Sequence, residues 1–236
     1  MLKTLIKSFF SQNVVNFLVK IRNNYFCGYA LKSYSQEGED IILKRFFDGQ
    51  VDGFYVDVGA HHPKRFSNTY LFYRKGWRGI NIDAMPNSMV QFNRIRPRDI
   101  NIEKPISDKV EILTYYAFNE PALNGFSKEI SLLRNELKDY QIESTKELTT
   151  TTLQQILDDY LPEDKEIDFL SIDVEGLDMQ VLRSIDLEKQ APRMILVEIL
   201  QTNYLEVFDN EINKYLTNFN YSIYAKSGNT VFFKKD

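Results

Sequence analysis

Apolar and polar positions along the chain form blocks that predict strands and helices in alternation. Apolar runs at residues 54–58, 80–82, 100–106, 167–172 and 194–200 are typical of buried strands. Amphipathic patterns between them predict helices at residues 38–48, 67–75, 86–94, 152–160, 178–185 and 211–219. This alternation predicts an α/β fold, with a mostly parallel sheet covered by helices on both faces.

Two further segments complete the predicted architecture. Residues 221–225 and 230–233 flank a Lys-Ser-Gly-Asn turn and predict a closing hairpin that adds an antiparallel strand. Residues 110–118 predict another extended segment, and the polar residues 119–147 interrupt the alternation with one helix at 129–140. An insertion of this length in an α/β domain is often a lid or a substrate-binding element.

The first 36 residues contain no acid and carry an apolar stripe with helical spacing. The stripe consists of Leu2, Leu5, Ile6, Phe9, Phe10, Val14, Phe17, Leu18 and Ile21. Lys7 and Lys20, among other polar residues, interrupt it, so we expect neither a membrane span nor a secretory signal. The alternatives are an interfacial helix on an anionic membrane surface, or a helix packed on the domain or a second subunit. We therefore divide the chain into residues 1–32 and a domain at 33–236.

Composition narrows the class of protein. Hydrophobic residues make up 43% and charged residues 26% of the 236 residues, as in globular proteins. The net charge of −4 disfavours a broad nucleic-acid-binding surface. Cys27 is the only cysteine, so no intrachain disulfide can form, which suits a cytoplasmic protein. If the N-terminal helix binds lipid, we expect it at the inner face of the membrane.

Acidic residues stand where several predicted strands end. They are Asp57, Asp83, Asp173 with Glu175, and Glu198. Each acid alone could cap the next helix or pair with a basic residue. Together, however, like charges at one sheet edge repel unless something binds between them, and open α/β sheets bind ligands at that edge.

The residues of the turn after the first strand indicate which nucleoside cofactor fits. A dinucleotide site requires G-x-G-x-x-G, whereas only Gly59 stands here, before Ala60, His61, His62 and Pro63. S-adenosylmethionine needs no pyrophosphate loop. Its ribose suits an acid such as Asp83, its adenine amine could donate to Asp108, and its ammonium could lie near Asp57 or Asp173.

An ordered set of motifs resembles one known family. The motifs are SYSQEGEDIIL from Ser33, FYVDVGAHHP from Phe54, SNTYLFYRKGWRGINIDAMP from Ser67, PISD from Pro105 and FLSIDVEGLDMQVL from Phe169. They resemble the FkbM family of S-adenosylmethionine-dependent methyltransferases. The resemblance implies a class I methyltransferase (Rossmann-like) fold, with a seven-stranded sheet and an antiparallel last hairpin strand. It also implies O-methylation, frequently of a sugar hydroxyl.

The same resemblance implies roles for individual residues around the cofactor. The implied contacts are Asp57, Gly59 and Ala60 in the first loop, Asp83 at the ribose, Ser107 and Asp108 at the adenine, and Gln36 and Glu37 over the pocket. Ala84, next to Asp83, is a further candidate for binding the cofactor. Ser67, Asn68 and Thr69 open the next helix. They either cap it or, through Asn68 and Thr69, contact the methionine end of the cofactor.

The acceptor hydroxyl needs a base or a metal ion, because it is barely acidic. His61 and His62 follow the cofactor loop directly, and we slightly prefer His62; the alternative is that one of them packs or caps the loop. Asp173 and Glu175 could act as base, or bind Mg²⁺ or Mn²⁺ together with Glu198.

The sequence therefore predicts an S-adenosylmethionine-dependent O-methyltransferase that acts on a nucleotide-linked sugar or on a precursor of a surface or capsular polysaccharide. Two alternatives stay open. One is a nicotinamide-dependent sugar oxidoreductase, and the other is a non-catalytic methyltransferase-fold scaffold in glycan assembly.

Overall fold

A seven-stranded sheet organises residues 33–236. The computed structural model describes residues 11–26, 30–200 and 203–236. The strands are β1 (Phe54–Val58), β2 (Arg78–Asp83), β3 (Ile100–Glu103), β4 (Ile112–Phe118), β5 (Ile142–Thr149), β6 (Phe169–Ile172), β7 (Met194–Glu198), β8 (Tyr221–Ser227) and β9 (Thr230–Lys235). The large sheet has the order β3-β2-β1-β6-β7-β9-β8, and β4 pairs with β5 separately.

Strand direction agrees with the predicted fold. Strands β3, β2, β1, β6 and β7 pair in parallel, whereas β9 is antiparallel to both β7 and β8. The chain passes from β1 outward to β3 and later returns on the other side of β1 as β6. The order of connections thus reverses between β1 and β6, which is where ligands bind in such sheets.

Helices pack on both faces of the sheet. The helices of this domain are α2 (Glu39–Phe46), α3 (Tyr70–Arg74), α4 (Ser88–Ile95), α5 (Lys128–Asn135), α6 (Leu153–Tyr160), α7 (Asp178–Arg183), α8 (Tyr204–Asp209) and α9 (Glu211–Asn218), and α5 lies in the insertion. Alternation within β1 separates the two cores: Val56 packs with α6, α7 and α9, whereas Tyr55 packs with α2 and α3. Every residue of β1 is buried, as a central parallel strand requires.

The predicted helix at residues 129–140 is wrong in its second half. Helix α5 ends at Asn135, and the amide oxygen of Asn135 accepts a hydrogen bond from the backbone nitrogen of Ile142. This contact turns the chain back into β5, which pairs with β4 in a two-stranded antiparallel sheet. The predicted strand at 100–106 is also too long, because Pro105 lacks a donor and β3 ends at Glu103.

Residues 1–32 form a separate compact unit. Helix α1 (Gln12–Tyr25) carries the second half of the predicted apolar stripe, including Val14, Phe17 and Leu18. The stripe from Leu2 to Phe10 and Cys27 lie outside the described residues. None of the described helices has the length and apolar character needed to cross a membrane. Binding of α1 to a membrane surface or a second subunit stays a prediction.

Candidate active site

A cleft of about 440 Å³ opens at the carboxyl ends of β1, β2, β6 and β7. It lies at the position where the strand connections reverse. Further segments line it, among them the loop at residues 36–39, the segment 61–68 after β1, the segment 104–106, the segment 120–126 from the insertion, and the tip of the β8–β9 hairpin at residues 228–230. Parallel strands thus supply the floor, and elements outside the parallel strands supply the walls.

Gly59 joins three strand ends at the floor of the cleft. Its backbone has φ of +83°, and a Cβ added there would lie 1.7 Å from the carbonyl oxygen of Asp173. Only glycine allows this approach, because it lacks the Cβ and tolerates positive φ. The backbone nitrogens of Gly59 and Ala60 both donate to the carbonyl of Ile82, at 2.9 and 3.0 Å. Ala60 is buried and lies outside the cleft lining.

Asp83 binds the turn that follows Gly59. Its carboxylate accepts the backbone N–H of His61 and that of Met85, each at 2.7 Å. The side chain is buried yet lines the cleft, together with Ala84. Burial raises the pKa of Asp83 to about 6, against the opposing effect of the two backbone donors. Because Asp83 also lines the cleft, its carboxylate can accept a hydrogen bond from a ligand hydroxyl.

The two histidines occupy different environments. His61 lines the cleft with φ of +51°, and its Nε2 is buried without a hydrogen-bond partner. His62 lies outside the lining, and its Nδ1 accepts the backbone N–H groups of Lys64 and Arg65 at 3.0 and 2.9 Å. Burial and the nearby Arg65 guanidinium lower the pKa of both imidazoles. The placement gives His62 a loop-capping contact and gives no support to the preference for it over His61 as base.

Asp57 belongs to a buried network behind the cleft and not to its lining. It accepts a hydrogen bond from the Thr69 hydroxyl at 2.8 Å. Burial raises the pKa of Asp57, while the charge of Arg96 lowers it. Arg96 is fully buried and donates to Thr69 and Tyr55. Asn68, by contrast, lines the cleft and donates to Ser171 of β6 at 3.1 Å.

The loop at residues 36–39 lines the cleft next to the tip of the β8–β9 hairpin. Gln36 and Glu37 line the cleft, and buried Glu39 lines it as well. Contact of Gln36 and Glu37 with a cofactor stays a prediction. The backbone nitrogen of Glu37 donates to Glu39, and the Glu37 carbonyl accepts from Ser227 at 2.6 Å. A Cβ on Gly228 would lie 2.7 Å from Cγ of Glu37, so the hairpin tip contacts this loop closely.

Three carboxylates converge where β6 and β7 end. Ligand oxygens of Asp173, Glu175 and Glu198 all lie within 4.8 Å of one another. Asp173 is open to the cleft although protein atoms surround much of it; this crowding and the charges of Glu198 and Glu175 raise its pKa well above the ordinary value. Partial burial and the neighbouring Glu175 raise the pKa of Glu198 to about 7.

These oxygens match the donor type that Mg²⁺ and Mn²⁺ prefer. Arg134, however, pairs with Glu175 at 2.6 Å, so a guanidinium already brings positive charge to the cluster. Asp173, Glu175 and Glu198 would hold a divalent ion if one binds, and Arg134 would compete for one of their oxygens.

The placement of the remaining candidates is mixed. Ser107 is buried and Asp108 is exposed, and neither lines the cleft, whereas the preceding residues 104–106 do. The cofactor roles predicted for these residues, as for Asp57, Ala60 and Thr69, stay predictions. Sequence reasoning did not single out several lining residues, namely Glu39, Arg65, Lys104, Glu120, Asn124 and Asn229. Only the interruption at 119–147 indicated that residues from the insertion would contribute.

The sheet order, the reversal between β1 and β6, and the cleft built on a single-glycine loop define a Rossmann-like methyltransferase fold. The family model described as "Methyltransferase FkbM domain" matches residues 57–223. That match covers more than half of the chain, and the chain belongs to the FkbM methyltransferase family. Searches of curated proteins and of solved structures gave no significant match. The predicted family and fold class are confirmed, and S-adenosylmethionine is the general methyl donor of methyltransferases.

Proposed function

We propose that the protein is an S-adenosylmethionine-dependent O-methyltransferase that acts on a sugar hydroxyl, in a nucleotide-linked sugar or a precursor of a surface or capsular polysaccharide. The observation that carries this proposal is the joint placement of Asp83 and His61 in the cleft wall. The Asp83 carboxylate accepts the backbone N–H of His61, so a carboxylate suited to ribose hydroxyls and an imidazole with a lowered pKa lie at one turn.

The charge of the cleft suits this cofactor. Among the residues that the structure describes, seven acidic ones line it, namely Glu37, Glu39, Asp83, Glu120, Asp173, Glu175 and Glu198, against the two cationic residues Arg65 and Lys104. When bound, S-adenosylmethionine supplies an electrophilic methyl group on a positively charged sulfur and also carries an ammonium. An acidic cleft stabilises both charges and disfavours the pyrophosphate of a dinucleotide.

Deprotonation of the acceptor falls to residues that border the same cleft. The lowered pKa of His61 keeps its imidazole neutral near pH 7, and the neutral imidazole is the form that can accept a proton. Asp173 and Glu198 can accept hydrogen bonds from further hydroxyls of a sugar and orient it. Alignment of the acceptor oxygen with the methyl group then contributes much of the rate.

Calorimetric titration tests the cofactor. We expect S-adenosylhomocysteine to bind with micromolar affinity and NADH to give no heat, because the cleft lacks the glycines that a pyrophosphate needs. Tight NADH binding without S-adenosylhomocysteine binding would favour the oxidoreductase and reject the proposal.

A screen with methyl-labelled S-adenosylmethionine tests the acceptor. Sugar nucleotides, monosaccharides and oligosaccharides serve as acceptors, and alkaline hydrolysis separates ethers from methyl esters. Alkali-stable label on a sugar supports O-methylation of a hydroxyl, whereas label found only on amines or carboxylates contradicts it. The scaffold alternative predicts unchanged function in cells when His62, Asp173 and Glu175 are replaced together.

A further inference from the structure

Arg134 connects the insertion to the floor of the cleft. It lies in the last turn of α5, outside the cleft lining, and its side chain is 19% exposed. Its Nη2 donates to Oε2 of Glu175 at 2.6 Å, and its Nη1 donates to the carbonyl of Leu123 at 3.3 Å. One guanidinium therefore joins α5, the cleft-lining segment 120–126 and the loop that follows β6.

The loop that receives Arg134 is fixed on its other sides. Asp178 accepts the backbone N–H groups of Val174 and Gly176, each at 3.2 Å. Glu175 stands between them with φ of +54°, a conformation that most side chains avoid. The constrained backbone therefore orients the Glu175 side chain toward the insertion, and the hydrogen bond from Arg134 fixes the position of its carboxylate.

The insertion also packs closely on this loop, with a glycine at each of two contact points. A Cβ on Gly125 would lie 3.0 Å from Cβ of Glu175, and one on Gly176 would lie 3.1 Å from Ser127. Next to Gly125, Asn124 contacts the residues that follow β2, where its amide nitrogen lies 3.5 Å from the sulfur of Met85. The segment thus spans the cleft between the ends of β2 and β6.

We propose that Arg134 is a positioning residue for methyl transfer: it holds segment 120–126 and the Glu175 carboxylate in the relative position that aligns the acceptor with the cofactor. This inference rests on the proposed function. The Arg134–Glu175 pair is largely shielded from water and its N···O distance is short, so it contributes more stabilisation than an exposed ion pair does. Without the guanidinium, segment 120–126 loses its hydrogen bond at the Leu123 carbonyl, and the Glu175 carboxylate loses its cationic partner.

The test uses the whole 236-residue chain and the acceptor found in the screen, with Arg134→Gln, Arg134→Lys and a matched control. Lys128→Gln removes the same charge from an exposed position in the first turn of α5. We expect Arg134→Gln to lower kcat/KM for the acceptor on the order of 10²-fold, the loss that a misplacement of about 1 Å causes. Affinity for S-adenosylhomocysteine should change less than threefold, and Lys128→Gln should behave as wild type.

Two further measurements separate positioning from general damage. Arg134→Lys keeps the charge but loses the two-pronged contact, so it should recover part of the acceptor kcat/KM. Replacing Glu175 and Arg134 together by glutamine should cost less than the sum of the two single effects, because the two side chains act through one contact.

Other outcomes overturn the inference. If Arg134→Gln matches Lys128→Gln in acceptor kcat/KM, the contact is irrelevant to transfer. If cofactor affinity falls in parallel with turnover, or if Arg134→Lys recovers nothing while thermal unfolding shows a damaged fold, Arg134 is merely structural. Failure of the wild-type protein to bind S-adenosylhomocysteine would instead reject the proposed function, so the two failures are distinguishable.

Discussion

Asp83→Asn is the sharpest perturbation of the cofactor site. In the protein the carboxylate accepts two backbone N–H groups, at 2.7 Å each, and keeps lone pairs for ribose hydroxyls. An asparagine side chain has one acceptor oxygen and no charge, so a backbone donor and a ribose hydroxyl compete for it. Hydrogen bonds to charged groups contribute about 1.5–3 kcal/mol each. A loss of about 2–3 kcal/mol corresponds to a roughly 30- to 150-fold weaker affinity for S-adenosylhomocysteine.

The raised pKa of Asp83 adds a pH dependence to this prediction. Ribose hydroxyls donate to the ionised carboxylate, so binding of S-adenosylhomocysteine should weaken as the pH falls through about 6, towards tenfold per pH unit. The pKa values of Asp173 and Glu198 are raised as well, so other groups titrate in this range. The difference between wild type and Asp83→Asn isolates the contribution of Asp83.

Stability should change with pH in the opposite direction. The folded pKa of Asp83 is raised, so the folded protein holds this proton more tightly than the unfolded chain. The resulting stabilisation is full below the ordinary pKa of 3.8 and is lost as the pH rises through about 6. A shift of about two units corresponds to roughly 3 kcal/mol. The free energy of unfolding of Asp83→Asn should lack this component.

Isothermal titration at pH 5, 6, 7 and 8 measures the affinities, and urea unfolding at the same pH values measures the stabilities. Asp108→Asn serves as a comparison, because Asp108 is exposed and lies outside the cleft lining. We expect it to change the affinity less than threefold. The reasoning is refuted if wild-type affinity is constant from pH 5 to 8, or if Asp83→Asn binds within threefold of wild type while it remains folded.

Three further predictions concern the same cleft. His61→Ala should lower turnover by about 10²–10⁴-fold with cofactor affinity kept, whereas His62→Ala should mainly loosen its loop; a larger turnover loss in His62→Ala would restore His62 as base. Gly59→Ala should abolish S-adenosylhomocysteine binding and destabilise the fold by at least about 1–3 kcal/mol in urea unfolding, because its Cβ would overlap the Asp173 carbonyl oxygen. Wild-type binding would contradict this. EDTA treatment should leave turnover unchanged, since Arg134 supplies the positive charge at Glu175; activity lost with EDTA and recovered with Mg²⁺ or Mn²⁺ would establish a metal site.

Strand positions were predictable because apolar runs in a parallel sheet are local signals. The apolar run at 54–58 coincides with β1, and acids placed after such runs were expected at one edge. Asp83, Asp173, Glu175 and Glu198 do line one cleft. The sequence did not predict which of these acidic side chains point into the cleft and which point into the protein interior. Asp57 points to a buried network because Thr69 and Arg96 lie behind β1, and Arg96 gave no signal in its own segment of sequence.

The same limit explains why neighbouring histidines could not be ranked from sequence. The difference between His61 and His62 arises from the positive φ of His61 and from backbone donors at Lys64 and Arg65, and neither feature depends on the identity of the two side chains. Arg134 is a stronger case, since 41 residues separate it from Glu175 and an ordinary helical pattern surrounds it. Long-range pairs of this kind follow from how the insertion returns over the sheet. The environments of His61 and His62 and the contact between Arg134 and Glu175 are therefore visible only in the folded chain.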